Sequence, residues 1–350
     1  MKDKITFLLL IKDRPKFFER WVKFHKKDFK NINLYIADGG KNSLFKKDKI
    51  KILENKKTIY KKFQFDRNYK IFFKKIRSSL LDVKTKYVIF CSDDDLLNLD
   101  NIFDTLKILN KKKKLYQGAS GKFVKFTGID KFNRINSPLS GVSFLNQNIS
   151  FFSNNKVMRL KNFYENPEGA LHFIIESRIA KKIYNHAILS NLKSADMLDL
   201  YVNSLIYTSM NILRVKKIFH LHQFHLESDA HSRSYSVVKN SRNWKGEKSN
   251  YLNLLKNFLS KNQAYISKIE LRHNFDKMFD ENILQENTRK SISFLKVKNI
   301  LLNKYTNFLY VIFKSFFVNK KINSFCDKFS VNKKDKKFLI SANHFLSDKN

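Results

Sequence analysis

Three carboxylates stand in a row at Asp93, Asp94 and Asp95, directly behind the apolar segment YVIFCS (87–92). Adjacent like charges repel, so a fold keeps such a run together only where something positive offsets it. In an extended segment residues i and i+2 point to one side, which lets Asp93 and Asp95 face a common cation while Asp94 turns elsewhere. Mg2+ and Mn2+ take oxygen ligands, and Mg2+ is commonly held by one or two carboxylates together with substrate phosphates. A second reading makes the run an N-terminal cluster that caps the helix behind it.

The elements that position these acids follow from the hydrophobic pattern. ITFLLLI (5–11) is a continuous apolar run of the kind found in a central parallel strand covered on both faces. PKFFERWVKFHKKDF places Phe17, Trp21, Phe24 and Phe29 at roughly helical spacing after Asp13 and Pro15, and NINLYIADGG gives a second strand ending in Asp38. Strand, helix and strand with connections this short predict a right-handed parallel unit. NYKIFFKKIRSSLLDVK from Asn68 reads as a helix feeding the strand YVIFCS, so Asp13, Asp38 and the triplet all arrive at the C-terminal edge of one sheet. That edge is where open parallel sheets bind their ligands.

Farther along, NIFDTLKILNKKKK reads as a helix, LYQGASGKFVKFTG as a strand pair broken at Gly118 and Gly121, and 130–170 as loops and short strands. LHFIIESRIAKKIYNHAI and DMLDLYVNSLIYTSMNI read as helices, VKKIFHLHQFHL as a late strand, and the chain beyond about 240 as Lys- and Asn-rich helix. His220, His222, His225 and His231 crowd into this late segment, and a strand would send 220 and 222 to one face and 225 to the other.

The chain has 350 residues, 43% hydrophobic, enough for a large buried core, and a formal net charge of +38. Lys supplies 57 of the 69 cations and they are spread almost evenly, whereas phosphate and base recognition favours clustered Arg, so no dedicated nucleic-acid partner is expected. Cys91 and Cys326 lie far apart and form no metal-ligand spacing or disulfide framework, which fits a reducing cytoplasm. The amino-terminal apolar run is too short for a signal sequence or a membrane span.

ITFLLLIKDRPKFFERWVKFH, LYIADGG, the Asn68 helix and YVIFCSDDDLL, in this order and spacing, resemble the family 2 glycosyltransferases of GT-A fold, most closely a bacterial subgroup opening with a TKDRP-like stretch. The likeness covers about residues 4–235. It implies an α/β GT-A fold, a Rossmann-like mixed sheet flanked by helices, with residues 1–240 as the glycosyltransferase domain and 241–350 as a basic helical C-terminal region that packs on it or touches a membrane surface. By the same resemblance Lys12, Asp13 and Arg14 line the nucleotide pocket, Asp38 contacts base or ribose, and Asp93 or Asp94 with Asp95 holds Mg2+ or Mn2+ and the diphosphate. ADGG stands where the family usually has DDGS. SADMLDLY (194–201) resembles the acidic motif that supplies the general base, with Asp196 as first candidate, Asp199 as second and Glu168 or Glu176 as further ones. His225, or else His231, is the expected late ligand to the metal, and Arg233 the expected neighbour of the leaving diphosphate.

The expectation is thus a cytoplasmic, metal-dependent, inverting enzyme that moves one sugar from a nucleotide-diphospho-sugar to a glycan or lipid-linked acceptor, at the membrane periphery if the acceptor is lipid-linked. KYTNFLYVIFKSFFVNKK (304–321) would suit an interfacial helix or a buried one. Two other classes compete: a metal-dependent nucleotidyltransferase using the same acidic edge, and a basic protein that binds nucleic acid or anionic membrane without catalysis.

Overall fold

The computed structural model describes residues 2–28, 31–42, 57–127, 140–144, 153–224, 235–283 and 322–347. Strand β1 (Ile5–Ile11) is buried at every position, as its unbroken apolar run requires. It pairs in parallel with β2 (Asn33–Asp38), which pairs in parallel with β3 (Thr58–Lys62). On its other side β1 pairs in parallel with β4 (Tyr87–Ser92). Helix α1 (Pro15–His25) begins with Pro at its first turn and buries Phe17, Phe18 and Trp21 on one face. Helix α2 (Tyr69–Asp82) is capped by Asn68, whose side chain accepts from the Ile71 amide at 3.0 Å.

Beyond β4 the sheet turns mixed. A turn at Asp93 and Asp94 leads into the short β5 (Asp95–Leu97), followed by α3 (Leu99–Lys111) and the long β6 (Gly118–Thr127). After β7 (Ser140–Phe144), which pairs with β6, come α4 (Lys156–Glu165), β8 (Ile174–Glu176), α5 (Ser177–Leu189), α6 (Ala195–Ser209) and β9 (Ile212–Phe224). The strand order is β3-β2-β1-β4-β8-β6-β9-β5, with β8 and β5 antiparallel to their neighbours and β6 parallel to β9. A mixed α/β sheet flanked by helices, with a helical C-terminal part, is the architecture expected of the chain.

Several local expectations are corrected. LYQGASGKFVKFTG is one strand and not a pair: its irregular register against β9 at Ser120–Phe123 absorbs Gly121, where a Cβ would stand 2.1 Å from the Phe219 ring. The segment expected as one helix from Leu171 divides into β8 and α5, because Ile174 and Ile175 fill the place between β4 and β6. Helix α4 lies where loops and strands were expected, its start fixed by Asn155, which accepts from the Val157 and Met158 amides at 2.8 and 3.2 Å.

The region from 235 onward packs in two places. Helices α7 (Tyr235–Lys239) and α8 (Trp244–Lys261), with a helical stretch over 268–283, join the main core through Tyr251, Leu255, Phe275 and Phe279. Helix α9 (Lys333–Ser347) and residues 322–328 cover the opposite face of β5, β6 and β9, where Leu339, Ala342 and Leu346 meet Leu96, Val124, Phe126 and Leu221. Asp335 anchors this cover: buried, it accepts from the Ile218 amide at 3.2 Å and from the Asn101 side chain. Among the described residues no helix is long and apolar enough to cross a membrane. The 304–321 segment lies outside them.

Candidate active site

The loops after β1, β2 and β4 meet at the C-terminal edge of the parallel half-sheet, as the strand order demands. Asp13 adopts a left-handed backbone (φ 49°), which Asp tolerates better than most residues, and its Oδ1 accepts from the Lys41 amide at 2.7 Å. Asp38 is fully buried: its Oδ1 accepts from the Gly40 amide at 2.8 Å and its Oδ2 from the Tyr60 hydroxyl at 2.6 Å. The two glycines of ADGG are there for close approach. A Cβ on Gly39 would lie 2.1 Å from the Asp66 carboxylate, and one on Gly40 2.8 Å from that of Asp13.

The acidic triplet is buried throughout, and the positive partners its crowding requires are present. The Arg14 guanidinium donates to Asp94 Oδ2 at 2.9 Å and also pairs with Asp93. Arg20, itself buried, donates to the Asp94 carbonyl at 2.8 Å and to Gln223. Neither Asp95 nor its neighbours cap the following helix: Asn98 does, accepting from the Asn101 amide at 3.3 Å.

Asp95 faces three histidines. It stands opposite His222 in the β5–β9 ladder, and His220 stands opposite Leu97, so the two-residue period sets Asp95, His220 and His222 on one face while Leu96 and Leu221 turn to α9. His222 Nδ1 lies 2.7 Å from Asp95 Oδ1, and His172 Nε2 and His220 Nε2 lie 3.4 and 3.9 Å from Asp95 Oδ2. His172 comes from the turn before β8 and its Nδ1 is 3.2 Å from the Phe90 carbonyl.

These surroundings divide the triplet electrostatically. Burial, outweighing the attraction of Arg14, pushes Asp93 up to about 7. For Asp95 burial also opposes the charge, but His222, His172 and His220 outweigh it and hold the carboxyl below the usual range. Burial drives His220 well below the ordinary imidazole value, whereas for His222 the Asp95 carboxylate overcomes burial and raises it. Arg20 is lowered to about 10 by burial, against the pull of the Asp cluster.

In front of this edge opens a cavity of about 1020 Å³. Lys12, Asp13 and Arg14 line it, together with Arg67, Asn68 and Lys70 from the start of α2, Asp94, His172, His222 and Lys193. Six cationic side chains, counting Lys75, face three acidic ones (Asp13, Asp66 and Asp94), so the field favours an anionic ligand. Helix α6, capped by Ser194, contributes Ala195 and Leu198 to the wall. Asp196 and Asp199 share its first two turns without being part of that wall, and Asn203 donates to Asp199 Oδ2 at 3.0 Å. Glu168 is held by Arg214, which donates to its two oxygens at 2.9 and 2.6 Å. His225, His231 and Arg233 lie outside the described residues.

Among the described residues two groups bring metal-ligating atoms within 4.8 Å of one another: Asp95 with His172 and His220, and Asp94 with Asp95 and His222. Asp93, expected to share a cation with Asp95, belongs to neither. The sequence carried a signal for His220 and His222, whose alternation puts them on one face. His172, a lone histidine in LHFIIE, carried none. Arg20 reads from sequence only as a charged position in an otherwise apolar helix face.

No family model matches the chain, and no curated protein matches it in sequence. Among solved structures it is similar to S. aureus TarS 1-349 in complex with UDP-GlcNAc, at 14% identity and a TM-score of 0.46, over 73% of this chain and 73% of that one. The complex of the same protein with UDP gives 14% identity and a TM-score of 0.45 over 73% and 72% of the two chains. S. aureus TarS 1-349 by itself gives 12% and 0.43, again over 73% and 72%.

Proposed function

We propose that the protein is a glycosyltransferase that takes a sugar from a nucleotide-diphospho-sugar donor. The observation that carries this reading is the joint arrival of Lys12–Arg14, the Asp38 loop and the acidic triplet at one edge of the parallel half-sheet, around a cation-rich cavity large enough for a sugar nucleotide. Lys12, Arg67, Lys70 and Lys193 supply the positive wall that an anionic diphosphate requires, and Arg14 holds Asp93 and Asp94 in place while lining the same space. A divalent metal bound at Asp95 would add charge where the diphosphate leaves.

The chemistry proposed is a single inverting displacement. An acceptor hydroxyl oxygen attacks the anomeric carbon, the bond from that carbon to the diphosphate oxygen breaks with its electrons on the leaving nucleotide, and a carboxylate takes the hydroxyl proton. Asp196 is the proposed base and Asp199 the second candidate, since Ala195 and Leu198 of the same turns border the cavity. Glu168 is less suited, because the Arg214 fork occupies both its oxygens. The acceptor proposed is a glycan or a lipid-linked sugar.

The test is a thermal-shift screen against UDP-, GDP-, CMP- and dTDP-sugars, with Mn2+ or Zn2+ and with EDTA. A donor present at a hundred times its Kd stabilises the native state by about 2.7 kcal/mol. Stabilisation by one nucleotide class, followed by transfer to acceptor that Asp95→Ala abolishes with the fold retained, is the expected result. No response to any donor, beside a salt-sensitive response to nucleic acid or anionic vesicles, would replace enzyme with binding protein. Incorporation of nucleotide into product would favour the nucleotidyltransferase.

A further inference from the structure

The ligand atoms gathered around Asp95 differ from those that two aspartates would offer an oxygen-seeking ion. Asp93 is fully buried, paired with Arg14, and outside both convergent groups, so the carboxylate pair expected from the Asp-x-Asp spacing does not close on one point. Two groups do close: Asp94 with Asp95 and His222, in which Arg14 already holds Asp94 Oδ2 at 2.9 Å and His222 Nδ1 already lies 2.7 Å from Asp95 Oδ1, and Asp95 with the imidazole nitrogens of His172 and His220.

Three features of that last trio favour a cation. Asp95 is fully buried, and its Oδ2 has no hydrogen-bond partner. A carbonyl can only accept, so the 3.2 Å contact of His172 Nδ1 with the Phe90 oxygen fixes the ring proton on Nδ1 and, in the neutral ring, turns the lone pair of Nε2 toward Asp95 Oδ2, 3.4 Å away. A backbone carbonyl that orients an imidazole through its far nitrogen is the support metal-bound histidines ordinarily have. The second ring, His220, is buried against Phe123 with centroids 4.2 Å apart and against His172 at 4.3 Å, and brings its Nε2 to 3.9 Å from the same carboxylate oxygen. Metal bonds of about 2.0–2.1 Å set tetrahedral ligand atoms about 3.3 Å apart, so His172 already stands at ligand spacing and His220 lies about half an ångström farther out.

We infer that Asp95, His172 and His220 form a two-histidine, one-carboxylate site for a single divalent transition ion of the Zn2+, Co2+ or Fe2+ type, in preference to Mg2+. Imidazole suits these ions, whereas Mg2+ requires oxygens in a near-octahedral shell and keeps its waters. Because His172 also lines the cavity, the ion sits at the cavity floor with its remaining positions open toward the ligand space. This deepens the proposed reading in naming the ion of the same site. Its test uses no sugar nucleotide, so that failure here and failure of the donor reading are told apart.

The experiment is titration of Co2+ into full-length protein stripped with EDTA, read by visible absorption, with Zn2+ affinity measured by competition. One equivalent of Co2+ should produce ligand-field bands that Zn2+ removes and millimolar Mg2+ does not. His172→Ala, at the accessible side of the site, should lower Co2+ affinity by more than about 100-fold while circular dichroism stays unchanged. His220→Phe keeps an aromatic ring against Phe123 and should do the same. Asp93→Asn should retain the bands. An absence of bands in the unaltered protein, bands that persist in His172→Ala, bands lost in Asp93→Asn, or displacement by millimolar Mg2+ would each overturn the assignment. The trio would then be a carboxylate between protonated imidazoles, or part of a site built on Asp93.

Discussion

Lys75→Met isolates the contact that ties the loop after β1 to helix α2. Lys75 and Asp66 form an ion pair with side-chain exposures of 1% and 2%, and Lys75 Nζ also donates to the Ile11 carbonyl at 3.2 Å, one residue before Lys12. Asp66 Oδ1 has no hydrogen-bond partner, so the carboxylate depends on the ammonium for its compensation. Methionine keeps most of the volume and removes the charge. Leaving one member of a buried pair uncompensated costs about 3–5 kcal/mol, whereas removing both is often close to neutral. Urea unfolding followed by circular dichroism should therefore show a loss of that size in Lys75→Met and recovery of most of it in Lys75→Met/Asp66→Asn.

The pH dependence has a definite sign. Burial already raises Asp66 against the attraction of Lys75, and without the lysine its native value rises further. Between the unfolded and the native pKa the native state then binds more protons, so stability falls as pH rises through that window. The deficit of Lys75→Met should accordingly be largest at pH 7 and shrink toward pH 4.5, while the double variant shows no such change. A loss below about 1 kcal/mol, or a deficit independent of pH with no coupling between the two positions, would refute the reasoning.

Two further outcomes follow from close packing. Gly39→Ala puts a methyl group 2.1 Å from the Asp66 carboxylate, and should lower stability by about 1–3 kcal/mol in urea unfolding and weaken donor-induced thermal stabilisation with it. Asp335→Ala strips the acceptor from the Ile218 amide and the Asn101 side chain, at a cost of about 2–4 kcal/mol, and hydrogen exchange should show amides of 333–347 losing protection before those of β1 and β4.

The parallel half of the fold and the edge at which the acids gather were legible because each depends on short-range pattern. An apolar run as complete as 5–11 must be covered on both faces, Pro15 and Asn68 start helices by their own chemistry, and short connections fix the direction of strands. What failed lay where pairing partners are far apart in sequence. Two isoleucines and a glutamate at 174–176 do not by themselves distinguish a strand from a first helical turn, and only the gap between β4 and β6 decides it. The same holds for β5, three residues whose identity as a strand comes entirely from β9.

The site divides along the same line. Sequence alone determined that Asp13, Asp38 and the triplet reach one sheet edge, because each ends a strand whose direction local rules set. Which atoms meet there was decided by tertiary structure: the β5–β9 register turns Asp95 away from Asp93 and toward His220 and His222, and the turn before β8 brings in His172 from 77 positions beyond Asp95. Pairing between distant segments sets distances of a few ångströms, and a one-residue slip of β9 against β5 would send His220 and His222 to the face opposite Asp95.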